Sequence, residues 1–279
     1  MNKLIGRLVI FFVGLPLVVG IVLFLPYQHH LALNLLCVLA SALGAAECAN
    51  LYKIKGSPVK PVQAALLGIL GPAAQTLATS FNLNPHIVPA AIIAGVLWLL
   101  ISLIFVPESR FPHAVDKFRS GCALVLYPGV LLLWIIRLDS VPILVFLLIV
   151  IANDSLAWVF GTLFGKGNRG IIPVSPNKSA AGFCGGLIAS IIVGIGAVFI
   201  VPDAFNSRTM PPVLSGFLLG IITGIIAIFG DLAESALKRS VNVKDSGVLI
   251  PGRGGILDSI DSISMAAPVY YLLYSFMFR

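Results

Sequence analysis

Four acidic residues stand in two pairs toward the C-terminal end of a chain that carries few charges. Asp231 and Glu234 are three apart, as are Asp258 and Asp261, so on helices each pair shares one face. Hard carboxylate oxygens of this kind suit Mg²⁺, which takes one or two carboxylates plus substrate phosphates and keeps several waters. Between the pairs, the segment from Ser235 to Asp258 carries Lys238, Arg239, Lys244 and Arg253, with a Pro-Gly-Arg-Gly-Gly turn at residues 251–255. Glycines such as Gly254 and Gly255 let backbone N–H groups approach an anion, a following helix N-terminus adds positive potential, and Lys or Arg cancel phosphate charge. The combination describes a metal-phosphate site. Two plainer accounts compete with it. Asp258 and Asp261 would favour a helix start in any case, but Asp231 follows the apolar run Ile221 to Gly230 at an expected helix C-terminus, where the dipole disfavours an anion. An ordinary positive loop explains the Lys and Arg but not the acids.

A second polar stretch offers fewer signals. Gly161 to Gly167 contains Gly-Lys but is one residue short of a P-loop and lacks the Ser or Thr after Lys166; Gly161 and Gly165 have the spacing of packed membrane helices instead. Ser175-Pro-Asn-Lys178-Ser179 precedes an apolar run entered through Gly182, Gly185 and Gly186, so Lys178 could reach a phosphate there. Asn153 and Asp154 lie inside an apolar run, and a polar pair in a membrane span is a functional candidate. Glu47 is a lone intramembrane carboxylate, equally readable as a structural hydrogen-bond partner or as cavity lining. His29, His30, His86 and His113 lack metal-ligand spacing and read as interface residues, and Cys37, Cys48, Cys122 and Cys184 read as small hydrophobes. No Ser-His-Asp or Cys-His arrangement can be built.

The elements that must position these residues follow from composition. The 279 residues are 58% hydrophobic and 10% charged, against about 25% charged in average soluble proteins, so the solvent is a bilayer. About 20 apolar residues cross it as helix. The runs place nine spans at 5–25, 31–52, 62–80, 87–106, 119–136, 141–164, 181–201, 212–234 and 257–277: an all-α, polytopic membrane protein in one membrane domain, divisible into helices one to five (1–140) and six to nine (141–279). Pro16, Pro72 and Pro128 are expected to kink their helices. With the N-terminus in the cytoplasm, only Arg137, Arg208 and Arg279 of the 18 Lys and Arg fall on the far side, as the positive-inside rule demands. The net charge of +7 is then membrane topology plus phosphate binding, and nucleic acid is not a partner.

The residues Gly230-Asp-Leu-Ala-Glu-Ser235, Lys238-Arg239, Lys244-Asp245-Ser-Gly247, Pro251-Gly252, Gly254-Gly255, Leu257-Asp258 and Asp261-Ser262 together resemble the C-terminal signature of the phosphatidate cytidylyltransferases, or CDP-diacylglycerol synthases. Asn153-Asp154, Gly165-Lys166 and Ser175-Pro176 with Lys178 resemble that family's upstream motif. The detailed likeness covers roughly residues 150–265. It implies transfer of CMP from CTP to phosphatidate, with CDP-diacylglycerol and pyrophosphate as products, for phospholipid biosynthesis.

The resemblance further implies a homodimer in the bacterial inner membrane, with a polar cavity open to the cytoplasm and to membrane lipid. By position, Asp231 and Asp258 match acids that bind the catalytic metals, Mg²⁺ or a related divalent ion, with Asp261 and Glu234 beside them. Lys178, Lys238, Arg239 and Lys244 match cations that hold CTP phosphates and the phosphatidate headgroup, with Ser175, Asn153, Asp154, Arg253, Gly254 and Gly255 in the substrate-binding motifs. The chain departs from the usual pattern in having Arg253 for His, Ser259 for Arg and Ala181 for Glu. These departures leave open a catalytically impaired protein that binds an anionic lipid or a partner. A CTP-dependent enzyme with a polyprenyl acceptor is a further alternative.

Overall fold

The computed structural model describes residues 10–250 and 252–279; Lys3, Arg7 and Pro251 lie outside the described residues. Among those described there is no β-strand, only the isolated bridges Arg169↔Ser179 and Ile250↔Gly254. Lipid supplies no hydrogen bonds to a backbone, so each apolar run must satisfy its own, and a helix does that within one segment. A π-helical turn, Ile10–Gly14, leads into α1 (Leu15–Phe24), α2 (Tyr27–Ile54), α3 (Pro61–Ser80) and α4 (Ile87–Ile104). Next come α5 (Ala114–Leu124), flanked by short 3₁₀ and π segments, then α6 (Ser140–Leu163), α7 (Ala180–Ile200), α8 (Pro212–Ser240) and α9 (Leu257–Phe278).

The protein is an all-α polytopic membrane protein. Among the described residues, α2, α3, α4, the composite Phe111–Arg137, α6, α7 and α8 are long and apolar enough to cross a bilayer. The described part of the first expected span is a shorter apolar helix, Phe12–Phe24. Helix α9 occupies the ninth expected segment, its first turns diluted by Asp258, Ser259, Asp261 and Ser262. One boundary differs in a way that matters: α8 runs to Ser240 rather than ending near 234. The apolar run stops, but Ala, Leu, Lys and Arg are good helix formers and carry the helix on. Asp231 and Glu234 are therefore interior to α8, and the expected placement of Asp231 at a helix C-terminus is corrected.

Two compact units divide the chain: Met1–Arg137 with Leu237–Ile260, and Leu138–Ala236 with Asp261–Arg279. A boundary drawn after residue 140 misses that residues 237–260 belong with the N-terminal helices. In the first unit, Ala45, Cys48, Leu67, Leu99, Leu124, Val241 and Leu257 share one buried core. Helices α2 and α3 meet where Gly68 packs on Ala45 and Ser41. The Ser41 hydroxyl donates to the Gly68 carbonyl (2.7 Å), the acceptor that Pro72 cannot use for want of an N–H, and α3 continues unbroken to Ser80. At Pro16 the helix changes register: a π-helical turn, Ile10–Gly14, precedes it, and regular α-helix begins at Leu15 with Pro16 in its first turn. At Pro128 the expected break occurs: Tyr127 leaves helical conformation (φ −121°, ψ 118°).

In the second unit, small residues set the helix contacts. Gly182 and Gly186 of α7 lie against Ala157 and Asn153 of α6, and Gly194 lies against Gly216 and Gly220 of α8. Tyr270 of α9, fully buried, donates its hydroxyl to the Pro142 carbonyl (2.9 Å). Ser179 caps α7, accepting from the Gly182 N–H (3.1 Å).

Candidate functional site

The second unit contains a cavity of about 390 Å³ whose lining includes Asp154, Trp158, Arg169, Lys178, Phe183 and Asp231. The chain between α6 and α7 is folded back to form part of its wall. Asn168 accepts from the Ala180 N–H (3.0 Å) and donates its amide to the Phe164 carbonyl (3.0 Å), and Arg169 donates to the Gly161 carbonyl (3.3 Å). Gly161 packs beside Ser179 and Gly182 and also lines the cavity, so the Gly161/Gly165 spacing lets these segments approach closely at the cavity wall.

Lys178 forms an ion pair with Asp231, half-buried on both sides, and its ammonium lies 5.8 Å from the Phe183 ring centroid. Asp261, nearly buried, feels the charges of Asp231, Glu234 and Asp154. Four carboxylates thus act on one region that also holds Lys178. Among the described residues no three Asp, Glu, His or Cys side chains are placed to form a metal cage by themselves.

The first unit holds the other acid. Asp258 Oδ1 accepts from Lys238 Nζ (2.5 Å); Oδ2 accepts from the Ser246 N–H (2.8 Å), the Ser246 hydroxyl (2.8 Å) and the Gly255 N–H (2.7 Å). Gly254 closes the turn with Ile250 through paired backbone bonds of 2.7 and 3.0 Å. Its φ of +115° and the nearness of Asp258 Oδ2, 2.5 Å from where a Cβ would sit, both require glycine. The N–H groups ahead of α9 do not face outward to an anion, as the glycine turn suggested. Gly255 donates to Asp258, and Ile256 and Leu257 donate to Glu47. Internal carboxylates occupy the helix end because they are fixed there by the fold, whereas a substrate phosphate would have to displace them.

The remaining candidates separate by role. Asn153 is buried and its amide ties helices together, donating to Ser190 Oγ (2.8 Å) and the Gly224 carbonyl (3.4 Å). Asp154 is exposed toward the cavity. Ser175 is outside the cavity lining; its carbonyl accepts from the Lys178 N–H (3.1 Å) and shapes the turn that presents Lys178. Arg239 donates to the Val243 carbonyl (3.0 Å) at the end of α8. Lys244 and Arg253 are exposed on the loop. Sequence reading did not single out Trp158, Arg169 or Ser246. Trp158 follows Asp154 by four residues, and that spacing was the available signal for a shared helix face.

The family model for the cytidylyltransferase family matches residues 5–277. The chain belongs to the cytidylyltransferase family. A protein named phosphatidate cytidylyltransferase from Staphylococcus saprophyticus is 31% identical over 268 residues, 93% of this chain and 96% of that relative. One of the same name from Staphylococcus haemolyticus is 36% identical over 180 residues, 63% of this chain and 65% of the relative. A third, from Haemophilus influenzae, is 41% identical over 132 residues, 47% and 44% of the two chains. The alignment thus spans just under two thirds of the Staphylococcus haemolyticus relative but nearly the whole of the Staphylococcus saprophyticus one. The cytidylyltransferase family match covers both units, so the acid-lysine pairs Lys178–Asp231 and Lys238–Asp258 both fall within it.

Proposed function

We propose that this chain is a phosphatidate cytidylyltransferase, transferring CMP from CTP to phosphatidate. The observation that carries this reading is the near end-to-end likeness to the Staphylococcus saprophyticus relative. A phosphatidate oxygen forms a bond to the α-phosphorus of CTP, the bond from that phosphorus to the β-phosphate oxygen breaks, and pyrophosphate leaves with its electron pair. Phosphate monoesters have a second pKa near 6, so the attacking group is largely dianionic at neutral pH and needs charge cancellation more than a general base. Lys178 in the cavity of the second unit is the cation that would supply it there; Lys238, Arg239, Lys244 and Arg253 are the cations of the motif loop in the first unit. The ion pair with the part-exposed Asp231 holds Lys178 at the cavity wall, where a phosphate can reach its ammonium.

The donor chemistry fits a divalent ion. The charges of Asp231, Glu234 and Asp154 all act on Asp261, and Mg²⁺ needs only one or two carboxylates because substrate phosphates and water complete its shell. We assign Asp231 and Asp261 to hold it, with Glu234 in support. Asp258, whose oxygens already accept from four donors, orders the loop and completes the acid set carried by the motif. When bound, such an ion would supply positive charge to the phosphates during the displacement.

The positive-inside pattern supports a cytoplasmic N-terminus and a site facing the cytoplasm, where CTP is soluble; the bacterial relatives support the inner membrane, and a homodimer is part of the same reading. Purified protein given radiolabelled CTP, phosphatidate and Mg²⁺ is expected to form labelled lipid and release pyrophosphate, and EDTA is expected to stop both. Absence of labelled lipid with any divalent ion overturns the reading, and label on a polyprenyl phosphate alone reassigns the acceptor.

A further inference from the structure

Glu47 is remote in sequence from every motif residue, yet it meets the motif loop directly. It is 5% exposed within α2, a position that costs a carboxylate a few kcal/mol or more unless it has partners. Its partners are the Ile256 N–H on Oε1 (3.1 Å), and the Leu257 N–H (2.9 Å) and Ser246 hydroxyl (3.1 Å) on Oε2. The two N–H groups belong to the start of α9, where no intrahelical carbonyl is available to them. Ser246 is the link onward, since its hydroxyl also lies 2.8 Å from Asp258 Oδ2. A Cβ on Gly247 or Gly255 would run into the Glu47 carboxylate, so both glycines are shaped to this one side chain.

Resting on the transferase reading, we propose that Glu47 is a positioning residue that fixes Asp258 and the glycine turn for the reaction without itself touching substrate. It satisfies the two N–H groups that directly follow the Gly255 N–H held by Asp258, and through Ser246 it sets where Asp258 Oδ2 lies. The geometry favours two bare acceptor oxygens over an amide: Gln offers one acceptor and turns an N–H₂ group toward a donor, which opens one side of the cluster. Asp is too short to span from α2 to both N–H groups.

The test is steady-state kinetics on purified wild type, Glu47→Gln and Ser246→Ala, normalised to folded protein by size-exclusion elution and thermal melting. Loss of one charge-assisted bond is worth about tenfold to a hundredfold, so Glu47→Gln is expected to lower kcat by about that factor. The KM values for CTP and phosphatidate are expected to stay within about twofold, because binding cations are untouched. Ser246→Ala is expected to lower kcat less, and the double variant to be no worse than Glu47→Gln alone, because both act through one contact. Wild-type kcat in folded Glu47→Gln overturns the proposal, as does a loss that vanishes after normalisation, which marks a purely structural acid. If Glu47→Gln does not fold, Ser246→Ala decides: reduced kcat at unchanged KM supports the proposal, and wild-type kcat overturns it. Failure of the wild type to label lipid overturns the transferase reading itself, and this inference with it.

Discussion

Changing Asp258 to Asn tests the charge logic of the motif loop with almost no change of shape. Asp258 Oδ2 serves three donors, the Ser246 N–H and hydroxyl and the Gly255 N–H, while Oδ1 serves Lys238 Nζ at 2.5 Å. The Asn carbonyl will stay with the three donors, which puts its N–H₂ group against the Lys238 ammonium, donor against donor. Both partners of the pair are largely buried, with 11% and 6% of their side-chain surfaces exposed, so solvent screening is weak. Breaking a buried pair from one side costs about 3–5 kcal/mol because the other charge stays in place. At about 2–4 °C per kcal/mol for a chain of this order, the melting temperature in detergent should fall by roughly 6–20 °C, together with loss of turnover. Removing both charges should behave differently. Asp258→Asn with Lys238→Met replaces the pair by neutral groups, a change that is often close to neutral, so the double variant should regain most of the lost melting temperature while staying inactive. A double variant that melts at or below the single one refutes the account of Asp258 as the buried partner of Lys238.

Lys178→Met removes the cavity's central ammonium and should raise the KM for CTP or phosphatidate by about tenfold to a hundredfold, the worth of one or two charged hydrogen bonds; initial-rate kinetics with each substrate varied in turn will show which phosphate it holds. Gly254→Ala forces a side chain into φ +115° and against Asp258 Oδ2, so a loss of about 1–3 kcal/mol and most of the activity is expected, read by thermal melting beside turnover. Asn153→Ala should lower the melting temperature by an amount corresponding to about 1–3 kcal/mol, from unpaired groups at Ser190 and Gly224; Asn153 also lines the cavity, so unchanged KM values mark it as a helix tie and a rise in either KM marks it as a substrate contact.

The helices were legible because the bilayer leaves an apolar run one local solution, and hydropathy reads that solution directly. The entry to α2 departs from it: Gln28, His29 and His30 have positive φ, and regular helix begins only with the apolar stretch after them. What hydropathy could not place was the end of α8, because propensity rather than apolarity carries the helix from Asp231 to Ser240. The acids and cations were legible as a set, since charge is rare in such a chain and each one kept there demands a partner.

Which partner each would take was another matter. Lys178 is 53 residues from Asp231, and Glu47 is 209 and 210 residues from the N–H groups of Ile256 and Leu257; no spacing rule reaches that far. By itself the sequence determined a polytopic helical protein and marked its sparse acids and cations as the candidate site. Only the tertiary structure decided that the N–H groups at the α9 N-terminus are held by Glu47 and Asp258, because that choice depends on which distant carboxylate the folded helices bring within hydrogen-bond range.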